Sequence, residues 1–539
     1  MISFLQKSSV TIGVALVLTA CGGGNNNTPT EPSAASIAAY VVPRATCGVG
    51  DKPETALQGQ VPASMRNSFA GNSCNLQLVG QLQGEGASWS SATYTDSSGH
   101  TCAYHATMSN TDSNGVSRGR INPGVPVIDI TDPTKPVRVR SLTSTAMMDP
   151  WESLRVNVAR GLLVADNGAN GGGGPELDVY DISSNCLNPQ LLASANISDG
   201  LNGGVIPSVP VIGHEGGISP DGLTYYIGSL ASNAYYAVDI TVPSKPKLIA
   251  SLSISGLPLG GVTHGVSIST DGNNAYLASI GASQVLNTVP APLADPNAKV
   301  QNGFYIADTS EVQARKPGAA IKIVSSVPVR DGSVSQTTIP VIIKGKHYVI
   351  YTDEGGAGGI PDPATATEKA ACAANLAPFP MAHIFDISDS ANPKQVSELR
   401  LETHVAANCD KVLPDVTGLS FFTYGSHYCS VDNRENATAL ACSYFNSGIR
   451  VFDIRNPAAP KEIAYFNPAG TQTNATGSPH FDFAQWHPGS PDWCSSRIDF
   501  DFDKHRLTTA CQDNGLLVMN FENNVWPMSD SVKAADEGN

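Results

Sequence analysis

Three histidines and one glutamate stand at matching places in a chain whose segments repeat, and they are the residues best suited to chemistry. His214 precedes Asp221 by seven residues, and His264 precedes Asp271 by seven. His427 lies six before Asn433, and Glu152 seven before the turn Ala159-Arg160-Gly161. Asp221-Gly222 and Asp271-Gly272 read as hairpin turns, so the histidines open the strands that lead into them. Imidazole binds copper, zinc, iron and nickel well. A three-histidine set leaves a position open for water or substrate, and Glu152 adds a ligand or proton acceptor. His214, His264, His427 and Glu152 are therefore the expected metal ligands, with copper or zinc as the candidate ions. The competing reading is that these side chains anchor loops or bind water in a polar channel. The matching places in other units hold Trp89, Thr337 and Ser496.

Other polar groups carry less. His404, His480 and His487 fall in insertions and would at most supplement the first set. Asp499, Asp501 and Asp503 alternate with Phe500 and Phe502, the period of a half-buried strand. Asn110, Asp112 and Asn114 have the spacing of a calcium loop, but no Glu follows at the required place, so a turn is expected. The chain contains no Gly-x-Ser-x-Gly, no Walker loop and no Gly-x-Gly-x-x-Gly leading into a helix. Serine hydrolase, nucleotide hydrolase and dinucleotide readings lose their usual support.

The elements that must position these residues are set by a recurring phrase. Gly448-Ile449-Arg450-Val451-Phe452-Asp453-Ile454, followed by Asn456-Pro457 and Pro460-Lys461, is a β-rich run, a turn and a second β-rich run. Variants end at Asp129, Asp181, Asp239, Asp308, Asp386, Asp453 and Asn520, at intervals of 52 to 78 residues. An Asp before a turn accepts hydrogen bonds from backbone N–H groups two or three residues on, so these carboxylates are scaffold. A hairpin precedes most of them, as in His264-Gly265-Val266-Ser267-Ile268 with the turn Asp271-Gly272. Seven units of four strands predict an all-β, seven-bladed β-propeller of antiparallel blades. The last unit stops after its third strand near Phe521, and residues 75–82 match the outer strands of other units. The N-terminal segment is therefore expected to complete the last blade.

This phrase resembles that of bacterial LVIVD-repeat proteins, whose blades carry an apolar run ending in Val/Phe-Asp-Ile-Ser/Thr before an Asn/Asp-Pro turn. The resemblance spans roughly residues 75–524 and implies a surface or periplasmic propeller, without naming an activity. Departures are the degenerate unit ending at Asp308, Asn520 in place of Asp, and insertions around 283–300, 355–380 and 404–418. The channel histidines are more distantly similar to those of the copper-dependent methanethiol oxidases of the selenium-binding protein family. That likeness implies a metal-dependent oxidoreductase.

The N-terminus reads as a targeting segment. Lys7 and the apolar run Val10 to Leu18 lead to Leu18-Thr19-Ala20-Cys21, which looks like a bacterial lipobox with Cys21 as the lipidated residue. Residues 1–20 are the expected signal peptide, 21–45 a flexible tether, 46–525 the propeller and 526–539 a tail. The uncharged Gly22 favours the outer membrane. Ten further cysteines suit an oxidising compartment. Cys429 with Cys442, and Cys494 with Cys511, flank turns and are expected to pair; Cys47, Cys74, Cys102, Cys186, Cys372 and Cys409 stay unassigned. A formal charge of −15 with no basic cluster argues against nucleic acid. Two functions stay open: a lipid-anchored module that binds an envelope protein or small ligand, and a metal-dependent oxidoreductase.

Overall fold

The computed structural model describes residues 32–108, 117–168, 175–197, 213–230, 232–280, 302–329, 334–354, 365–419, 422–482 and 487–534. Cys21, the signal segment and the loop of Asn110, Asp112 and Asn114 lie outside the described residues.

Seven antiparallel sheets form the blades of a β-propeller, six of four strands and one of five. The third blade shows the pattern: Glu215–Ile218, Thr224–Ser229, Ala234–Asp239 and Lys247–Ser253, paired in that order. Its second strand is buried along its whole length, whereas the outer strand alternates. A blade sandwiched between two neighbours needs apolar residues on both faces of its middle strands. Thus Val164 and Val179 of the second blade share a core with Tyr225, Ile227 and Val238 of the third. The turn into the second strand is fixed by Asp221, whose Oδ1 accepts from Leu223 N–H at 2.9 Å. Gly222 follows at φ +67°, where only glycine fits easily.

The repeated aspartates behave as turn formers. Asp129, Asp181, Asp239, Asp308, Asp386 and Asp453 each accept from the backbone N–H two residues on, at 2.8 to 3.0 Å. Inner strands of neighbouring blades lie against one another from the first blade to the fifth. Arg155, Gly217, Val266, Thr337, Ser430 and Arg497, contributed by six blades, line a common cavity along the channel.

The ring closes as expected. Leu76–Leu82 pairs antiparallel with Gly515–Phe521, from Leu76 opposite Phe521 to Leu82 opposite Leu516. Asn72–Cys74, just before it, adds a fifth strand to the sixth blade beside Lys461–Asn467. The chain ends are held further out than composition indicated. Ala34–Ala39 is a short helix, Ile37 and Val42 are buried, and Val42 N–H donates to Arg400 O at 2.9 Å. Isolated apolar residues in a polar stretch thus dock the part of the expected tether from 34 onward. In the expected tail, Trp526 is buried and its Nε1 donates to Asp432 Oδ2 at 3.1 Å.

Cys429–Cys442 and Cys494–Cys511 form disulfides across facing strands. The unassigned six pair as Cys47–Cys74, Cys102–Cys186 and Cys372–Cys409. Among the described residues no helix is long and apolar enough to cross a membrane.

Closure by one strand predicts a face-dependent loss of stability. Leu76 is buried against the last blade and Leu78 faces solvent. Leu76→Ala should cost about 2–5 kcal/mol in chemical denaturation and Leu78→Ala far less, since only the first leaves a cavity. A chain beginning at residue 84 should aggregate through the bared edge. A stable monomer from that chain would contradict the closure.

Candidate metal centre

Inner-strand ends, the loops before them and one second-strand end bring five side chains from five blades to one end of the channel. His214 and His264 stand with their Nε2 atoms 2.9 Å apart. Glu152 Oε2 lies 3.2 Å from His214 Nε2 and 3.8 Å from His264 Nε2, and its Oε1 lies 3.2 Å from His427 Nε2. Glu354 completes the ring, with Oε1 3.4 Å from His264 Nε2 and Oε2 3.4 Å from His427 Nε2. All four residues named from the sequence meet. Donors on one ion with bonds of about 2.0–2.2 Å stand roughly 2.8–3.6 Å apart, and most of the ring falls in that interval.

Surrounding groups fix which nitrogen faces the ring. His264 Nδ1 lies 2.8 Å from Gln336 O and His427 Nδ1 lies 2.6 Å from Ser495 O. A carbonyl only accepts, so each Nδ1 carries the proton and donates, leaving Nε2 as the lone-pair atom of the neutral ring. Metal-binding histidines are held in this way. Gln336 also donates from Nε2 to Glu152 Oε2 at 3.1 Å, so one residue orients two members of the ring. His427 Nε2 sits between the two carboxylates, 3.2 Å from Glu152 Oε1 and 3.4 Å from Glu354 Oε2. Such a lone pair suits a cation placed between the oxygens.

Two unlike walls enclose the ring. On one side Trp89 lies 5.3 Å from His427, Trp151 5.9 Å from His214, and Phe445 5.2 Å from His427, ring centre to ring centre. On the other, Glu215 accepts from Arg497 at 2.7 Å, Thr337 at 3.0 Å and Arg155 at 3.2 Å. Glu215 Oε2 lies 3.7 Å from His264 Nδ1. Burial between the two walls strengthens every charge interaction inside.

Burial alone would lower the pKa of His264, but Glu215, Glu152 and Glu354 outweigh it and raise the imidazole to about 9. His427 is raised to about 9 in the same way by Glu152 and Glu354 against burial. Burial opposes ionisation of Glu152, yet His214, His427 and His264 hold its carboxyl well below the usual range.

The remaining histidines do not join. His404 accepts from Leu401 N–H at 3.1 Å, lies 3.1 Å from Tyr424 O, and burial drives its pKa down to about 3. It is a satisfied core residue. His480 Nδ1 pairs with Asp513 at 2.7 Å and its ring stacks on Trp493, while His487 is exposed. Trp89 and Thr337, at the places matching the histidines, form the walls rather than the ring.

Glu354 and Glu215 escaped the sequence reading. Glu354 ends the second strand of the fifth blade, Lys346–Glu354, opposite Val334 at the start of the inner strand. Second strands run back to the end where inner strands begin. Counting residues from the hairpin turn Lys344-Gly345 in both directions was the available signal. Glu215 follows His214 directly, and its partners Arg155 and Arg497 are remote in sequence.

Fold and cluster together define a seven-bladed β-propeller with a buried histidine–carboxylate ring at one end of its channel. No protein-family model matches the chain, and no curated protein matches it. Among solved structures it is similar to a putative 6-phosphogluconolactonase from Bacteroides uniformis, at 12% identity and TM-score 0.46, covering 79% of this chain and 93% of that one. It is also similar to the periplasmic gluconolactonase PpgL of Pseudomonas aeruginosa, at 11% identity and TM-score 0.42, covering 79% and 94%. These likenesses are too distant to carry an argument, and the propeller rests on the strand order.

The raised histidines predict a pH dependence for metal-free protein. A pKa raised on folding stabilises fully below the unfolded value, about 6.5, and that stabilisation is lost as pH climbs through the folded value. Asp492 and Asp499, pushed up to about 7 by burial, ionise at lower pH than the two histidines lose their protons. Chelator-treated protein should therefore lose thermal stability between roughly pH 7.5 and 9.5, and His427→Gln should flatten the loss. Melting curves across that range are the check.

Proposed function

We propose that this chain is a cell-envelope metalloenzyme, an oxidoreductase whose redox ion sits in the ring of His214, His264, His427, Glu152 and Glu354. The observation that carries the reading is the ring itself: three imidazoles and two carboxylates, two of the imidazoles with Nδ1 tied to carbonyl oxygens. Neither loop anchoring nor channel water requires buried nitrogens and oxygens from five blades to converge. His214, His264 and Glu152 form a two-histidine, one-carboxylate set, the donor combination of non-haem iron oxygenases with open positions. Two carboxylates also make the site harder than the copper or zinc sets first expected, and favour iron(II) or manganese(II). The bound ion would supply Lewis acidity and one-electron redox chemistry. The protein would supply a dry site, aromatic walls to orient an apolar substrate, and two carboxylates to accept protons.

The blade phrase supports kinship with LVIVD-repeat surface propellers, and the channel histidines support a loose analogy to the methanethiol oxidases. The lipobox-like Leu18 to Cys21 and five disulfides support a lipid-anchored protein in an oxidising compartment, with Gly22 favouring the outer membrane. An interaction module for an envelope protein or small ligand is the second reading, and metal-free protein would favour it.

Elemental analysis of the full-length protein, purified after growth with iron, manganese, copper and zinc, tests the proposal. Tightly held first-row metal is expected, falling at least tenfold in His264→Ala. Gln336→Ala, which touches no ion, should weaken metal binding about 10–100-fold while keeping the fold. Iron(II)-loaded protein should bind nitric oxide, reporting an open coordination position. Protein that takes up no metal, with His264→Ala as stable as the parent, would sink the reading. Separately, Cys21→Ser should move the protein from the membrane fraction to the soluble fraction, and an unchanged distribution would exclude the anchor.

A further inference from the structure

The ring is built for a pair of ions rather than one, an inference that rests on the metalloenzyme reading. Its donors fall into two sets, Glu152 with His214 and His264, and Glu152 with Glu354 and His427, each with its atoms within 4.8 Å of one another. The carboxylates divide along the same line. Glu152 turns Oε2 toward His214 and His264 but Oε1 toward His427. Glu354 turns Oε1 toward His264 but Oε2 toward His427. Each carboxylate therefore presents one oxygen to each set, which is how a carboxylate bridges two ions. A single ion bound through all five residues with each carboxylate chelating would carry seven donors, more than first-row divalent ions ordinarily take.

We infer that the channel holds a dinuclear centre bridged by Glu152 and Glu354. One ion is held by His214, His264, Glu152 Oε2 and Glu354 Oε1; the other by His427, Glu152 Oε1 and Glu354 Oε2. Bridged pairs of this kind stand about 3.5–4 Å apart. The two positions differ in protein donors, four against three. The His427 position thus keeps more room for water or substrate, and it faces the aromatic wall of Trp89 and Phe445.

Hard divalent ions suit such a mixed carboxylate and imidazole set, so manganese(II) alone is the probe. Full-length protein is stripped with chelator, loaded with manganese(II), desalted, and read by elemental analysis and electron paramagnetic resonance. The expected result is two ions per chain with an exchange-coupled spectrum. His427→Ala should retain one ion and show the six-line spectrum of isolated manganese. Glu152→Gln, which removes one of the two bridges, should weaken the coupling. Circular dichroism and melting curves confirm that each variant is folded, and should a variant fail to fold, the count and spectrum of the parent still decide. One ion per chain, or two without coupling, overturns the pair and leaves a metalloenzyme standing. No ion, with manganese, iron or zinc, overturns both.

Discussion

Two carboxylates taken out of water must be matched by positive charge, and the channel end of this propeller is arranged around that need. Burying an unpaired carboxylate costs several kcal/mol even after relaxation. Glu152 and Glu354 face three imidazoles, two of them raised to about 9. Behind them Glu215 is balanced by Arg155 and Arg497. Without metal, two protons on His264 and His427 offset Glu152 and Glu354. Bound metal would displace those protons and supply positive charge between the same carboxylates, so its binding would be coupled to proton release. The acidic ring is thus tolerable without metal, and metal in the ring would place the charge where the lone pairs point.

That balance depends on the propeller more than on any one blade. The ring takes residues from the loop before the second blade, the start of the third, the fourth blade's inner strand, the second strand of the fifth and the loop before the sixth. No local segment holds two of its members. Only radial repetition brings such distant residues to one axis. Closing the ring with Leu76–Leu82 fixes the spacing between the first and last blades, and so the radius at which the side chains meet.

What was legible in the sequence follows from the same division between repeated and unrepeated residues. The Asp-Ile phrase recurs because every blade needs the same turn, so aligning its copies gives blade number, strand order and the missing last strand. The histidines were legible because they occupy one register position and differ from unit to unit. Glu354 was not, because it reaches the ring from a second strand and no other unit repeats it. The pairing of Cys102 with Cys186 was equally hidden, since it joins two blades across 84 residues. The docked N-terminal segment was hidden because its few apolar residues resemble a linker until a groove for them exists.

The contrast between register and side chain explains how such a scaffold can hold chemistry at all. A propeller offers each unit a place beside the axis, and the default occupant is whatever satisfies that place. Here Thr337 and Trp89 fill theirs with a hydroxyl that supports Glu215 and a ring that packs on His427. Two of the remaining places carry imidazoles, His264 and His427, whose Nδ1 atoms donate to the backbone carbonyls of Gln336 and Ser495. An imidazole held to backbone in this way keeps its Nε2 aimed at the ring, so the geometry of the ring follows that of the backbone around it. Chemistry at this site is therefore constrained by the hydrogen-bond register of the blades, which is why residues far from the ring, such as those of the closing strand, bear on its shape.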